Sequence, residues 1–73
     1  MRILGVDCGT ERTGYGVIDS DGRSHRLVCC GVIATRPREA LSLRLAALAE
    51  RLQEVIAAQA PEEAAVEEVF YAA

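Results

Sequence analysis

Between residues 41 and 56 the apolar side chains recur at steps of three and four: Leu41, Leu45, Leu48, Leu52, then Val55 and Ile56. That spacing defines one face of an amphipathic helix, and Arg44, Glu50, Arg51 and Glu54 fall largely off the stripe. The stripe constrains the fold because the residues before it follow another rule. They form short apolar runs broken by turn residues, the pattern of strands. A helix therefore stands between a group of strands and whatever follows it.

Ile3-Leu4-Gly5-Val6 reads as a buried strand with Asp7 at its C-terminal end. Residues 8–14, Cys-Gly-Thr-Glu-Arg-Thr-Gly, read as a turn, and Tyr15-Gly16-Val17-Ile18 as a second strand. Asp19-Ser20-Asp21-Gly22 is a hairpin signal. Residues 26–34 form a third strand, in which Gly31 marks a bulge or a close backbone approach. His25 begins that strand beside the turn and reads as an exposed residue. Thr35-Arg36-Pro37 leads into the helix, where proline suits a first turn, and Pro61 closes it. Residues 64–67 form a last strand. The leucine stripe is core in this arrangement, and Arg36 and Arg38 form a solvated loop pair that could also touch phosphate.

At 73 residues the chain is one small domain at most, able to bury only about 60% of its unfolded surface. Its three cysteines, Cys8, Cys29 and Cys30, include no C-x-x-C pair and stand with a single histidine. A disulfide-framed secreted module is thereby excluded, and the pattern speaks against a structural zinc site. Cys29 and Cys30 are adjacent and point to opposite faces of a strand, and Cys8 has no histidine to activate it as a nucleophile. No apolar run approaches the roughly 20 residues that span a bilayer, so no membrane role is expected. Reduced thiols without a signal-peptide core point to the cytoplasm. Eight basic residues, all arginine, against eleven acidic ones give a net charge of −3, which excludes a basic nucleic-acid tail. Residues 66–73 are mostly apolar without a Gly, Pro or polar close, which suggests a truncated polypeptide.

The element order is β-β-β-α-β, an α/β mixed sheet. The first three strands form an antiparallel meander, and the helix carries the chain back so that the last strand lies parallel to the first. Asp7 and Glu67 then stand at the carboxyl ends of neighbouring parallel strands about 4.8 Å apart, the edge where open α/β sheets gather ligands. Two carboxylates so close repel, and a divalent cation relieves the repulsion; hard oxygen ligands suit Mg2+ or Mn2+. A pair of such ions about 3.5–4 Å apart is the arrangement that hydrolyses phosphodiesters. Each residue has an ordinary reading as well. Asp7 before a glycine-rich turn is a turn former, and Glu67-Glu68 is a solvated strand end. Glu68 takes the role of Glu67 if the register shifts by one.

Residues 1–10, Met-Arg-Ile-Leu-Gly-Val-Asp-Cys-Gly-Thr, with Thr13-Gly14-Tyr15-Gly16-Val17-Ile18, closely resemble the opening of the RuvC family of Holliday-junction resolvases. Val66-Glu67-Glu68-Val69-Phe70-Tyr71-Ala72 resembles that family's second signature at a matching distance. The resemblance covers essentially all 73 residues but only about the N-terminal half of a typical member. It implies that residues 1–73 are the N-terminal part of a single ribonuclease-H-like nuclease domain. It further implies a homodimeric, Mg2+-dependent crossover junction endodeoxyribonuclease with two ions per complete site and Mn2+ as a substitute. Four-way junction DNA and the RuvA–RuvB branch-migration complex are the implied partners. By motif match Asp7 and Glu67 are catalytic metal ligands. Phe70 matches an aromatic near the active site that contacts junction DNA, where stacking on an unpaired base is physically reasonable; its other reading is a core aromatic.

Two departures stand out. Cys8 occupies a position where the family usually has proline. The family's remaining acidic ligands, on a later helix, and most of its DNA-binding basic residues fall beyond Ala73. Three other readings remain open. Asp7-Cys8-Gly9-Thr10 is also similar to the first phosphate loop of actin-like ATPases and sugar kinases. The RuvX/YqgF-type nucleases linked to ribosomal-RNA processing share the Ile-Leu-Gly-Val-Asp opening. An inactive half-domain, associating through the unpaired edge of its last strand, is the third.

Overall fold

The computed structural model describes residues 1–9 and 11–67. The chain runs β1 (Arg2–Asp7), β2 (Arg12–Ser20), β3 (His25–Ala34), α1 (Leu41–Gln59) and β4 (Glu63–Glu67). Among the described residues four strands form one sheet in the order β3-β2-β1-β4, with β1 antiparallel to β2 and parallel to β4. The mixed β-β-β-α-β sheet expected from the sequence is the sheet observed.

Alternation along the strands sorts their residues onto two faces. Leu4 and Val6 of β1, Val17 of β2 and Ile33 of β3 are the buried apolar residues, and Thr13 joins them on β2. Leu52 and Val55 of α1 pack on the cluster of Leu4, Val6 and Val17, so the helix covers this face. Within the described residues the other face, with Ile3, Gly5 and Asp7 on β1, has no helix over it.

Arg2 ties three elements together at the far end of the sheet. Its Nε and Nη2 donate to the two carboxylate oxygens of Asp19 at 2.9 and 3.0 Å, and its Nη1 donates to the Gln59 carbonyl at 3.2 Å. The last turn of α1 carries no basic residue of its own, so Arg2 supplies the positive charge that complements the helix C-terminus. The hydrogen bonds to Asp19 raise the Arg2 pKa above its ordinary value and hold the Asp19 carboxyl below the usual range.

Several local expectations need correction. The turn after Asp7 is shorter than its glycines suggest: β2 starts at Arg12, because Thr13 is drawn into the core opposite Ile33 and Gly14 into the ladder opposite Asp7. The hairpin loop likewise begins later, since β2 runs through Ser20, which pairs with His25. Asp21 then caps the loop by accepting the backbone N–H groups of Arg23 and Ser24 at 2.8 and 2.7 Å, and Gly22 adopts φ 93°. The bulge falls between Val17 and Ile18, with Val28 as the extra residue of β3, and not at Gly31. Nor does backbone approach Gly31: its close neighbour is a side chain, and a Cβ there would lie 2.6 Å from the Tyr15 hydroxyl oxygen.

Pro37 precedes α1 without entering its first turn, and Ala40 starts the helix without a side-chain cap. The stripe is only partly core. Leu48, Leu52 and Val55 are half-buried, whereas Leu41, Leu45 and Ile56 are exposed. It is the later turns of the helix, through Leu52 and Val55, that pack on the buried cluster of the sheet. Ala60 ends the helix in the left-handed conformation at φ 47°, its N–H on the Ile56 carbonyl, ahead of Pro61. Cys29 lies against the core and Cys30 is exposed, and all three cysteines are free thiols. Among the described residues no helix is long and apolar enough to cross a membrane.

Candidate metal centre

β1 and β4 end together. Their register sets Ile3 beside Glu63, Gly5 beside Ala65 and Asp7 beside Glu67. In-register neighbours of a parallel pair project to the same side, so both carboxylates emerge on the face opposite α1. They do so because Leu4 and Val6 are buried on the helix face, which sends the odd-numbered residues of β1 the other way. Asp7 and Glu67 are both exposed, and among the described residues neither carboxylate accepts a hydrogen bond or joins an ion pair. The donor set is thus two unneutralised hard-oxygen groups at one sheet edge. That fits a divalent cation of the Mg2+ class, which accepts one or two carboxylates and fills its remaining positions with water or substrate oxygen. Among the described residues there is no cluster of three or more metal-ligating side chains.

An open cavity of about 430 Å3 lies over these carboxylates. Gly5, Gly14, Gly16 and Ala65 form its floor, with Asp7 and Glu67 at one rim. Reading Gly14 as a turn residue hid this floor. The signal was present in the alternation Thr13, Tyr15, Val17 against Gly14, Gly16, which has the period of a strand.

Cys8 is partly buried against the hydrophobic cluster on the helix side and is directed away from the carboxylates. His25 sits at the opposite end of the sheet, exposed, its Nδ1 2.8 Å from the Ser20 Oγ. Arg36 and Arg38 are exposed in the loop before α1. Thr10, Glu68 and Phe70 lie outside the described residues.

A mixed sheet of order β3-β2-β1-β4, one helix on its inner face and an acidic pair closing its two adjacent parallel strands together define a ribonuclease-H-like domain. The family model described as "Crossover junction endodeoxyribonuclease RuvC" matches residues 3–73. The chain belongs to the RuvC family. It is 50% identical over 70 residues to the crossover junction endodeoxyribonuclease RuvC of Rhodopseudomonas palustris (strain TIE-1), covering 96% of this chain and 40% of that protein. With the protein of the same name from Synechococcus sp. (strain CC9902) it shares 46% identity over 71 residues, 97% of this chain and 46% of the relative.

Among solved structures, Thermus thermophilus RuvC superposes with a TM-score of 0.84 at 34% identity, over 97% of this chain and 45% of that one. The same protein in complex with a Holliday junction substrate gives 0.85 at 34% identity, over 97% and 46%. An Aquifex aeolicus Ppx/GppA phosphatase, at TM-score 0.58 and 14% identity, shares the fold alone. Family membership decides against the actin-like ATPase and RuvX/YqgF-type readings. The chain spans under half the length of the relatives it matches.

Proposed function

We propose that this chain supplies the first half of the active site of a Holliday-junction resolvase. Residues 1–73 are then the N-terminal part of a single nuclease domain that acts as a homodimer in the cytoplasm. It nicks four-way junction DNA by phosphodiester hydrolysis, in concert with a RuvA–RuvB branch-migration complex. The observation that carries this reading is the register of Asp7 with Glu67 on one open face, in a chain of the RuvC family. The relative solved with a Holliday junction, alike over nearly all of this chain, supports the choice of substrate.

Asp7 and Glu67 would hold Mg2+, or Mn2+ in its place; two such ions in the complete site supply activation of water and stabilisation of the leaving oxygen. The protein's part is positional. β1 and β4 hold the two carboxylates in register, and the open face beside them admits a phosphodiester. Phe70 is proposed to contact the junction, three residues after Glu67. With only two ligands, the 73-residue chain by itself is expected to be inactive.

A chimera tests this: residues 1–73 replace the matching segment of Thermus thermophilus RuvC. The chimera is expected to cut synthetic four-way junctions in Mg2+. Asp7→Asn and Glu67→Gln are each expected to abolish cutting while junction binding persists, because phosphate contacts do most of the holding. Full nicking by either variant would refute the assignment, and activity of Glu67→Gln with loss in Glu68→Gln would move the ligand by one position.

A further inference from the structure

Three of the six glycines are explained within the chain. Gly22 has a positive φ, a Cβ on Gly9 would overlap the Arg12 carbonyl, and Gly31 makes room for the Tyr15 ring. Gly5, Gly14 and Gly16 have no such reason. None has a positive φ. A Cβ on Gly14 or Gly16 would meet nothing within 4 Å, and one on Gly5 only the Gly16 carbonyl at an ordinary 3.9 Å. Glycine inside a strand weakens it, so three unexplained glycines on one patch point to something outside the described chain that needs the space. All three line the cavity that Asp7 and Glu67 border.

Gly14 stands closest to the chemistry. It is the direct antiparallel partner of Asp7, as Glu67 is its parallel partner. Partners across an antiparallel pair project to the same face with Cβ positions about 5 Å apart. Any side chain at position 14 would therefore rise beside the Asp7 carboxylate, on the flank away from Glu67. An octahedral Mg2+-class ion takes six oxygens, and two carboxylates leave several positions to water or substrate oxygen. Those oxygens need volume next to Asp7.

We propose that Gly14 is a specificity-determining position of the carboxylate site: its missing side chain holds open the flank of Asp7 for the water shell of a divalent cation. The proposal rests on the metal reading of Asp7 and Glu67.

The test is Mn2+ binding to the chimera that carries residues 1–73 in Thermus thermophilus RuvC, followed by water-proton relaxation, with circular dichroism to monitor the fold. Wild type, Asp7→Asn, Gly14→Ala and Gly14→Leu are compared. One methyl group stays below the carboxylate, so Gly14→Ala is expected to bind within about two-fold of wild type, whereas Gly14→Leu is expected to bind at least about ten-fold more weakly. Gly14→Val, suited to a strand, replaces the leucine variant if that one loses its sheet signal. A folded large-residue variant binding Mn2+ as wild type does would overturn the proposal and assign the clear floor to a covering polypeptide segment. Wild-type binding that is absent, or unchanged by Asp7→Asn, would overturn the metal reading itself and the proposal with it.

Discussion

Tyr15 and Gly31 face each other across β2 and β3, and their pairing yields a sign reversal that can be measured. In an ordinary strand Gly→Ala is favourable by about 0.5–1 kcal/mol, because glycine loses the most backbone freedom on folding. At Gly31 the added Cβ would lie 2.6, 2.8 and 3.0 Å from three atoms at the hydroxyl end of the Tyr15 ring. The ring is rigid, so it must swing out of its place against Leu4, Val6 and Val17, and forced repacking of this kind costs about 1–3 kcal/mol. The clash outweighs the entropy gain, and Gly31→Ala is expected to destabilise by about 0.5–2 kcal/mol. In a Tyr15→Val background the ring is absent, and the same change is expected to stabilise by about 0.5–1 kcal/mol. The coupling in the double-mutant cycle is then the clash itself, about 1–3 kcal/mol. Urea unfolding followed by far-ultraviolet circular dichroism is the assay, since the chain has no tryptophan and tyrosine emission would change with the mutation. An effect of the same sign in both backgrounds would refute the reasoning.

Leu4 is 2% exposed in a core with four buried apolar residues among the described ones, so Leu4→Ala should cost about 2–5 kcal/mol, a large part of the roughly 4–11 kcal/mol expected for 73 residues, as a shift of the urea midpoint will show. Ala60 holds a left-handed conformation that glycine adopts without strain, and Ala60→Gly should raise stability by about 0.5–1 kcal/mol in a thermal scan. Asp19 is held below the ordinary carboxylate range by hydrogen bonds from Arg2, and Asp21 by the backbone N–H groups of Ser24 and then Arg23. Depressed folded-state values stabilise the fold above the unfolded carboxylate value of about 3.9, and this contribution is lost as pH falls through the lower folded values. Acid titration of stability should therefore steepen below about pH 4, and Asp19→Asn with Asp21→Asn should flatten it.

Local residue pattern was enough for the element order and for the pair of carboxylates. Ile3 to Val6 closed by Asp7, the leucine steps from residue 41 and the glutamates after Val66 each carry their own period, and connection rules leave few ways to assemble them. The motif strings around Asp7 and Glu67 carry the likeness to the RuvC family without any geometry. Turn propensity misled where the ladder was stronger. Thr13 and Gly14 look like turn residues, but Ile33 and Asp7 waited across the sheet to pair with them. Gly31 was legible as a special position without its cause, because the Tyr15 ring that explains it lies on another strand.

Chemical identity and period are properties of a segment, and so strands, helix and acidic candidates could be read from the chain itself. Only the tertiary structure decided that Asp7 and Glu67 emerge on the face opposite the helix, that half of the leucine stripe stays exposed, and that glycines far apart in sequence merge into one floor. Those outcomes depend on which residues meet across strands, and a strand's neighbours are chosen by burial and register over the whole sheet.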